Sequence, residues 1–224
     1  MLVPPERVAG WVERFAARHG GAEEPPLGHS AAPDATDDAV SDGPAGIVLV
    51  APDGARAVLR LPWRARDGRP AGPDLAAFVA AAVRPEVVGL LVIRRGGFTV
   101  GVAEGTRIVG HRTGSRYVQG RTAAGGWSQQ RYTRRRSAQA SAALAQAAGA
   151  VTDIVLPYES RLAVLVAGGD RDAVVTVLRA ARLRPLMRLL RPALVAVGDP
   201  RRVALDAVLA DARAITIDVT DPTG

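Results

Sequence analysis

Apolar positions recur along this chain with two periods, one helical and one alternating. Val8, Trp11, Val12 and Phe15 fall at helical spacing, with Glu6, Arg7, Glu13 and Arg14 set elsewhere. Pro4-Pro5 precede them and Gly20-Gly21 follow, so the pattern predicts one amphipathic helix with proline at its entry and glycine at its exit. Ile47 to Ala51 is a short apolar run, Asp53-Gly54 a turn, and Arg56 to Leu61 an alternating partner; together they predict a hairpin. Asp74 is a good N-cap for a helix carrying Leu75, Phe78, Val79 and Ala82, which Pro85 ends. Val87 to Ile93 is strongly apolar and predicts a central strand. Arg95-Gly96-Gly97 and Glu104-Gly105 then punctuate two further strands, Phe98 to Ala103 and Thr106 to Val118, in an antiparallel meander.

The last third alternates strand and helix. Leu162 to Ala167 reads as a strand, and Asp170 caps a helix with Val174, Val175 and Leu178. Ala193 to Val197 reads as another strand. Asp199-Pro200 starts a helix with Val203, Leu205, Val208 and Leu209, and Ile215 to Val219 closes the series. Such alternation implies crossover helices over a sheet. The predicted fold is therefore α/β, a mixed sheet with an antiparallel meander followed by β-α units. Between residues 20 and 45 the chain holds Gly, Pro, Ser and six acids but no arginine, the composition of a mobile linker. The predicted organisation is an N-terminal helix at 1–19, an acidic flexible linker at 20–45 and one domain at 46–224.

Composition removes several chemistries. The absence of cysteine excludes disulfides, zinc-thiolate sites and thiol nucleophiles. His19, His29 and His111 are far apart and lack neighbours at metal-ligand spacing, so no metal is expected. No glycine-rich loop has the Walker or dinucleotide form, and Gly168-Gly169-Asp170 reads as a tight turn with an N-cap, so no cofactor is expected. Ser128 lacks a Gly-x-Ser-x-Gly context. Neither a spanning segment nor a signal peptide is apparent, so a cytoplasmic protein with no membrane partner is expected. With 48% hydrophobic but only 4% aromatic residues, Ala, Val and Leu must fill the core.

Charge changes the picture. The formal net charge is +7, and the basic side chains are arginine throughout. No Asp or Glu occurs between Glu104 and Asp153, yet Arg112, Arg116, Arg121, Arg131, Arg134, Arg135 and Arg136 all fall there. At the centre stand Gly125, Gly126, Trp127, Ser128, Gln129 and Gln130, before an Ala/Gln/Ser-rich helix from about Tyr132 to Ala148. Residues 112–136 therefore read as an extended, flexible basic finger for a polyanion, with RNA the first candidate. Arg134 to Arg136 would begin the helix, where its dipole disfavours cations by a few tenths of a kcal/mol each. Trp127 offers either a buried staple or a stacking platform for a base. A glutamine amide is a poor general base, but it donates and accepts hydrogen bonds and can orient a water. That suffices for an activated ester whose scaffold comes from elsewhere.

The segment resembles the glycine-glutamine loop in the middle, peptide-releasing domain of eukaryotic and archaeal class 1 release factors. It is closer to the Vms-type release-factor domain of ribosome quality control, where Gly-x-x-Gln replaces Gly-Gly-Gln; here Gly126-Trp127-Ser128-Gln129 has that spacing. A long strand entering, an arginine-rich exit and an alanine-rich helix complete the likeness, which covers roughly Val87 to Val219. The resemblance implies a release-factor-like fold and a monomeric peptidyl-tRNA hydrolase acting on stalled large ribosomal subunits. Gln129, or Gln130 beside it, would position the attacking water, and Gly125 and Gly126 would let the tip enter the catalytic centre. The seven arginines and Trp127 would hold rRNA and the tRNA end. The alternatives are a noncatalytic rRNA- or tRNA-binding module, or a nuclease cutting the tRNA 3′ end. The acidic stretch suggests screening of the finger when RNA is absent. Deleting residues 20–45 is then expected to tighten RNA binding at low salt in a titration, and unchanged affinity would contradict this.

Overall fold

The computed structural model describes residues 1–21, 46–63, 74–94, 97–115 and 128–222, and for 128–138 the description is of the backbone alone. All of the expected linker beyond Gly21 lies outside the described residues. In chain order the elements are β1 (Leu2–Val3), α1 (Val8–Arg18), β2 (Gly46–Val50), β3 (Arg56–Arg60), α2 (Leu75–Ala82), β4 (Val87–Arg94), β5 (Gly97–Glu104) and β6 (Arg107–Ser115). Then come α3 (Ser128–Ile154), β7 (Leu162–Gly169), α4 (Arg171–Leu178), a 3-10 helix at Ala181–Leu189, α5 (Arg202–Arg213) and β8 (Ile215–Thr220). Two compact units result, Met1–Pro85 with Ala210–Gly224, and Glu86–Leu209. The hairpin, placed by sequence with the main domain, thus sits in the unit of the N-terminal helix.

In the first unit the strand order is β1-β8-β3-β2. Every pairing is antiparallel. Val8, Val12 and Phe15 of α1 bury against Ile47, Leu49, Leu59, Ile215 and Ile217, together with Phe78 of α2. The amphipathic helix therefore docks on its own unit's core. Asp74 caps α2 as the sequence predicts, its carboxylate accepting from Ala77 N–H at 2.7 Å. Asp53 orders the β2–β3 turn by accepting from Ala55 N–H at 2.9 Å, and its other oxygen lies 2.7 Å from His19 Nδ1 at the end of α1. Those contacts, Ala55 N–H first and the His19 hydrogen bond second, hold the Asp53 carboxyl below the usual carboxylate range.

The second unit is built on β4. Its sheet order is β6-β5-β4-β7, antiparallel through the meander and parallel between β4 and β7, the mixed sheet read from the sequence. Residues Val87 to Ile93 are buried on both faces. On one face Leu91 and Ile93 meet Ala147, Ala150 and Val151 of α3 and Val155 just past its end, with Val174, Val177 and Leu178 of α4. Gly89 leaves the room for this packing, because a Cβ there would fall 2.6 Å from Leu165 Cδ1 and 3.2 Å from Val155 Cγ1. On the other face Leu205 of α5 covers Gly101, where an added Cβ would lie 2.8 Å from its Cδ1. The one buried polar side chain among the described residues, Thr99, is satisfied across the strand pair by Thr113 Oγ1 at 2.9 Å. After β7 the chain turns at Gly169, whose φ of 93° favours glycine, and Asp170 caps α4 by accepting from the N–H groups of Asp172 and Ala173.

Four expectations need correction. The alanine-rich helix spans Ser128–Ile154, not Tyr132 to Ala148. Gly149 does not end it, since the buried stripe of Ala147, Ala150 and Val151 runs through to Val155 while Gly149 itself faces open space. At the other end nothing between Ser128 and Arg131 opposes helix, so the turn-forming signal stops at Gly126. Ala193 to Val197 is not a strand: bridges at Leu165–Leu190 and Gly168–Val195 set five residues against three, and Pro192 offers no N–H, so no continuous ladder forms. Val203 is 69% exposed, whereas Leu205, Val208 and Leu209 bury. Finally, Gln139–Tyr158 is long and apolar enough to cross a bilayer, at a mean hydropathy of 1.3. Alanines raise that value; Ala147, Ala150, Val151 and Val155 in the segment serve the sheet's core.

Two outcomes test this packing. Gly89→Val is expected to lower stability by about 1–3 kcal/mol through overpacking, read as a shifted denaturation midpoint; an unchanged midpoint would contradict the close approach. Asp53→Asn addresses the His19 contact. Because the folded carboxyl titrates below its unfolded value, its contribution is complete above about pH 5 and is lost as pH falls through the lower, folded value. The stability gap between wild type and Asp53→Asn is therefore expected at pH 6 and expected to vanish in acid; a gap independent of pH would contradict it.

Candidate nucleic-acid interface

In sequence the basic segment connects β6 to α3, both elements of the second unit. β6 is the edge strand of the mixed sheet, and its register on β5 is fixed up to its last residue, Ser115, opposite Gly97. One step earlier Gly114 stands opposite Phe98, and a Cβ there would lie 2.5 Å from the ring. The aromatic ring thus covers a glycine and secures the strand where the basic segment begins. On the return side, α3 is anchored through its C-terminal half. Its 27 residues make a rod about 40 Å long at 1.5 Å per residue. Among the described side chains, burial begins only past Ser141 and is complete at Ala147, Ala150 and Val151.

The sequence-chosen residues are distributed as follows. Arg116, Arg121, Gly125, Gly126 and Trp127 lie outside the described residues. Gln129 and Gln130, expected in a loop, fall in the first turn of α3, and Arg131, Arg134, Arg135 and Arg136 follow on the same helix. The dipole argument moves accordingly. With Ser128 as the first helical residue, Arg134 to Arg136 stand beyond the first turn, where the effect has decayed, and only Arg131 remains close to the positive end. The first turn holds no acid. Its leading N–H groups have no intrahelical acceptor, as at any helix start, and point out of the N-terminus.

Arg112 is fully described, and its partner is one that the sequence reading missed. Its Nη1 donates to Asp153 Oδ2 at 2.6 Å, joining β6 to the last turn of α3, with both side chains about half exposed. Asp153 is the acid that closes the acid-free stretch in the sequence, and folding brings it beside an arginine 41 residues earlier in that stretch. No local spacing signals this contact. Glu104, the bounding acid on the other side, accepts from Arg161 at 2.9 Å. Exposed pairs of this kind contribute about 0–1 kcal/mol, so Arg112 is held only lightly by Asp153. Among the described residues no three His, Asp or Glu side chains converge.

Among solved structures, that of an archaeal translation termination factor, aRF1, aligns at 16% identity and a TM-score of 0.44, over 73% of this chain and 48% of its own. Another, described as an archaeal protein, aligns at 14% identity and 0.40, over 73% and 50%. The chain spans about half the length of these structures. No curated protein matches significantly. Residues 86–218, however, match the model of the Actinobacteria/chloroflexi VLRF1 release factor. That span opens on the first residue of the second unit, ends within β8, and agrees with the stretch on which the resemblance is read. It exceeds half of the 224 residues, and the chain belongs to the VLRF1 release-factor family.

Proposed function

We propose that the chain is a peptidyl-tRNA hydrolase that frees nascent peptides from stalled large ribosomal subunits. What supports this reading is the placement of Gly126-Trp127-Ser128-Gln129 in a VLRF1-family chain, directly ahead of and within the first turn of α3. A glutamine there is carried by a helix whose far half is locked into the core, while the glycines precede it. In the reaction, water attacks the ester carbonyl carbon that joins the peptide to the terminal ribose. Gln129 orders that water through its amide, and the oxyanion that forms is met by backbone N–H donors. The bond from the carbonyl carbon to the ribose oxygen then breaks, that oxygen takes one proton of the water to become a hydroxyl, and the peptide leaves as a carboxylate, its proton passing to solvent. The glutamine keeps its charge state throughout, so the protein contributes position instead of a titrating base. The arginines of the segment neutralise the phosphates of rRNA and the tRNA acceptor end, the large ribosomal subunit and peptidyl-tRNA being the partners. No metal or cofactor enters the scheme.

Release of a labelled peptide from stalled peptidyl-tRNA on purified large subunits tests the reading. Gln129→Ala is expected to slow release by about 10²-fold or more, the scale of losing one oriented transition-state group. Binding should stay within about twofold. Gln130→Ala is expected to retain most activity. If Gln130→Ala alone abolishes release, the role passes to the neighbour. If wild type binds but releases nothing, the chain is a binding module and the proposal fails.

A further inference from the structure

A second set of arginines stands in the described part of the fold, away in sequence from the glycine-glutamine segment. Between Asp172 and Asp199 the chain carries Arg179, Arg182, Arg184, Arg188 and Arg191 and no Asp or Glu. The 3-10 helix Ala181–Leu189 decides how they are displayed. Three residues per turn place side chains three apart in one column. Leu183 and Leu186 are fully buried and Leu189 partly so, and these form the column that meets the core. The same period puts Arg182, Pro185 and Arg188 in a second column and Ala181, Arg184 and Met187 in a third, and all six are exposed. Arg179, just ahead of the helix, is exposed as well.

These arginines differ from others in the same unit. Arg112, Arg161 and Arg202 each meet an acid, at Asp153, Glu104 and Asp206. On the 3-10 helix Arg188 meets Glu159 at 3.1 Å. Arg179, Arg182 and Arg184 have neither an acid nor a carbonyl partner among the described residues. The fold thus spends its local acid on Arg188 and leaves three guanidinium groups within six residues facing solvent. The face offers little apolar area, Met187 at 38% exposure being its large hydrophobic side chain. A protein partner would be expected to bury aromatic and apolar groups here, whereas neutralising a sugar-phosphate backbone needs only the forked cations.

We propose that Arg179, Arg182 and Arg184 form a second RNA-contact face, which binds the phosphate backbone of ribosomal RNA without reading its sequence. The proposal rests on the reading of the chain as a factor acting at the ribosome. Each phosphate contact contributes about 0.7–0.9 to the slope of log affinity against log salt. The test is binding of the full chain to a structured RNA hairpin over a salt series. It compares wild type with the triple variants Arg179→Gln/Arg182→Gln/Arg184→Gln and Arg179→Lys/Arg182→Lys/Arg184→Lys. The glutamine triple is expected to flatten the slope by about 2, with the lysine triple keeping most of it. Because the three side chains are exposed and have no partner among the described residues, both variants are expected to melt with wild type. Equal slopes and affinities for wild type and the glutamine triple would overturn the proposal, as would tighter binding to a polyglutamate peptide than to the hairpin. A wild type that shows the full salt slope but releases no peptide would remove the release reading and leave this face standing.

Discussion

The double-sided burial of β4 is the constraint on which the second unit depends. Val87 to Ile93 exclude water on both faces, so helices must cover both, and the pairing on both edges fixes the register of β5 and β7. Gly89 makes the closest layer possible, since any side chain there would push Leu165 and Val155 away. That contact sets where the end of α3 lies. The helix start, about 40 Å distant, is positioned by this anchorage because a continuous helix transmits position along its length. A catalytic amide on such a support loses less precision than one on an unsupported loop.

The electrostatics follow a similar division. Acids within the second unit sit beside arginines that tie elements together: Asp153 with Arg112, Glu104 with Arg161, Glu159 with Arg188. Their energetic contribution is small at exposed sites. Their larger consequence is to determine which cations stay available. The segment between β6 and α3 has no acid of its own, and among the described residues the 3-10 helix has one acid neighbour, Glu159, for its several arginines. Net positive charge is thereby concentrated on segments that a polyanion can neutralise, instead of being spread evenly over the surface.

Much of this was legible in the residues. The meander, the Asp74 and Asp170 caps and the docking face of α1 follow from period and cap chemistry, because burial and local hydrogen bonding decide them together. Where tertiary contacts outweighed local signals, the reading slipped. The alanine-rich helix, expected to end near Ala148, continues to Ile154 because the buried stripe on either side of Gly149 keeps α3 helical. Ala193 to Val197 looked like a strand, but its spacing against β7 cannot be matched. Leu183, Leu186 and Leu189 repeat at three, a period between those of strand and α-helix, so the pattern signals neither element and the 3-10 helix is not legible from it. β8 was readable as a strand, yet nothing local says that it joins β1 and β3 in the other sheet. The Gly-x-x-Gln segment was legible as a motif, and Gln129 on helical backbone was not, because the preceding glycines dominate the local pattern.

The central claim is chemical: water, ordered by Gln129, cleaves the ester between peptide and tRNA. The most direct measurement is mass spectrometry of both products after a single turnover on stalled large subunits in ¹⁸O-labelled water. The account predicts one ¹⁸O in the new peptide carboxylate and a tRNA with its 3′ end intact. An unlabelled peptide still carrying a nucleotide fragment, beside a shortened tRNA, would contradict it and make the chain a nuclease.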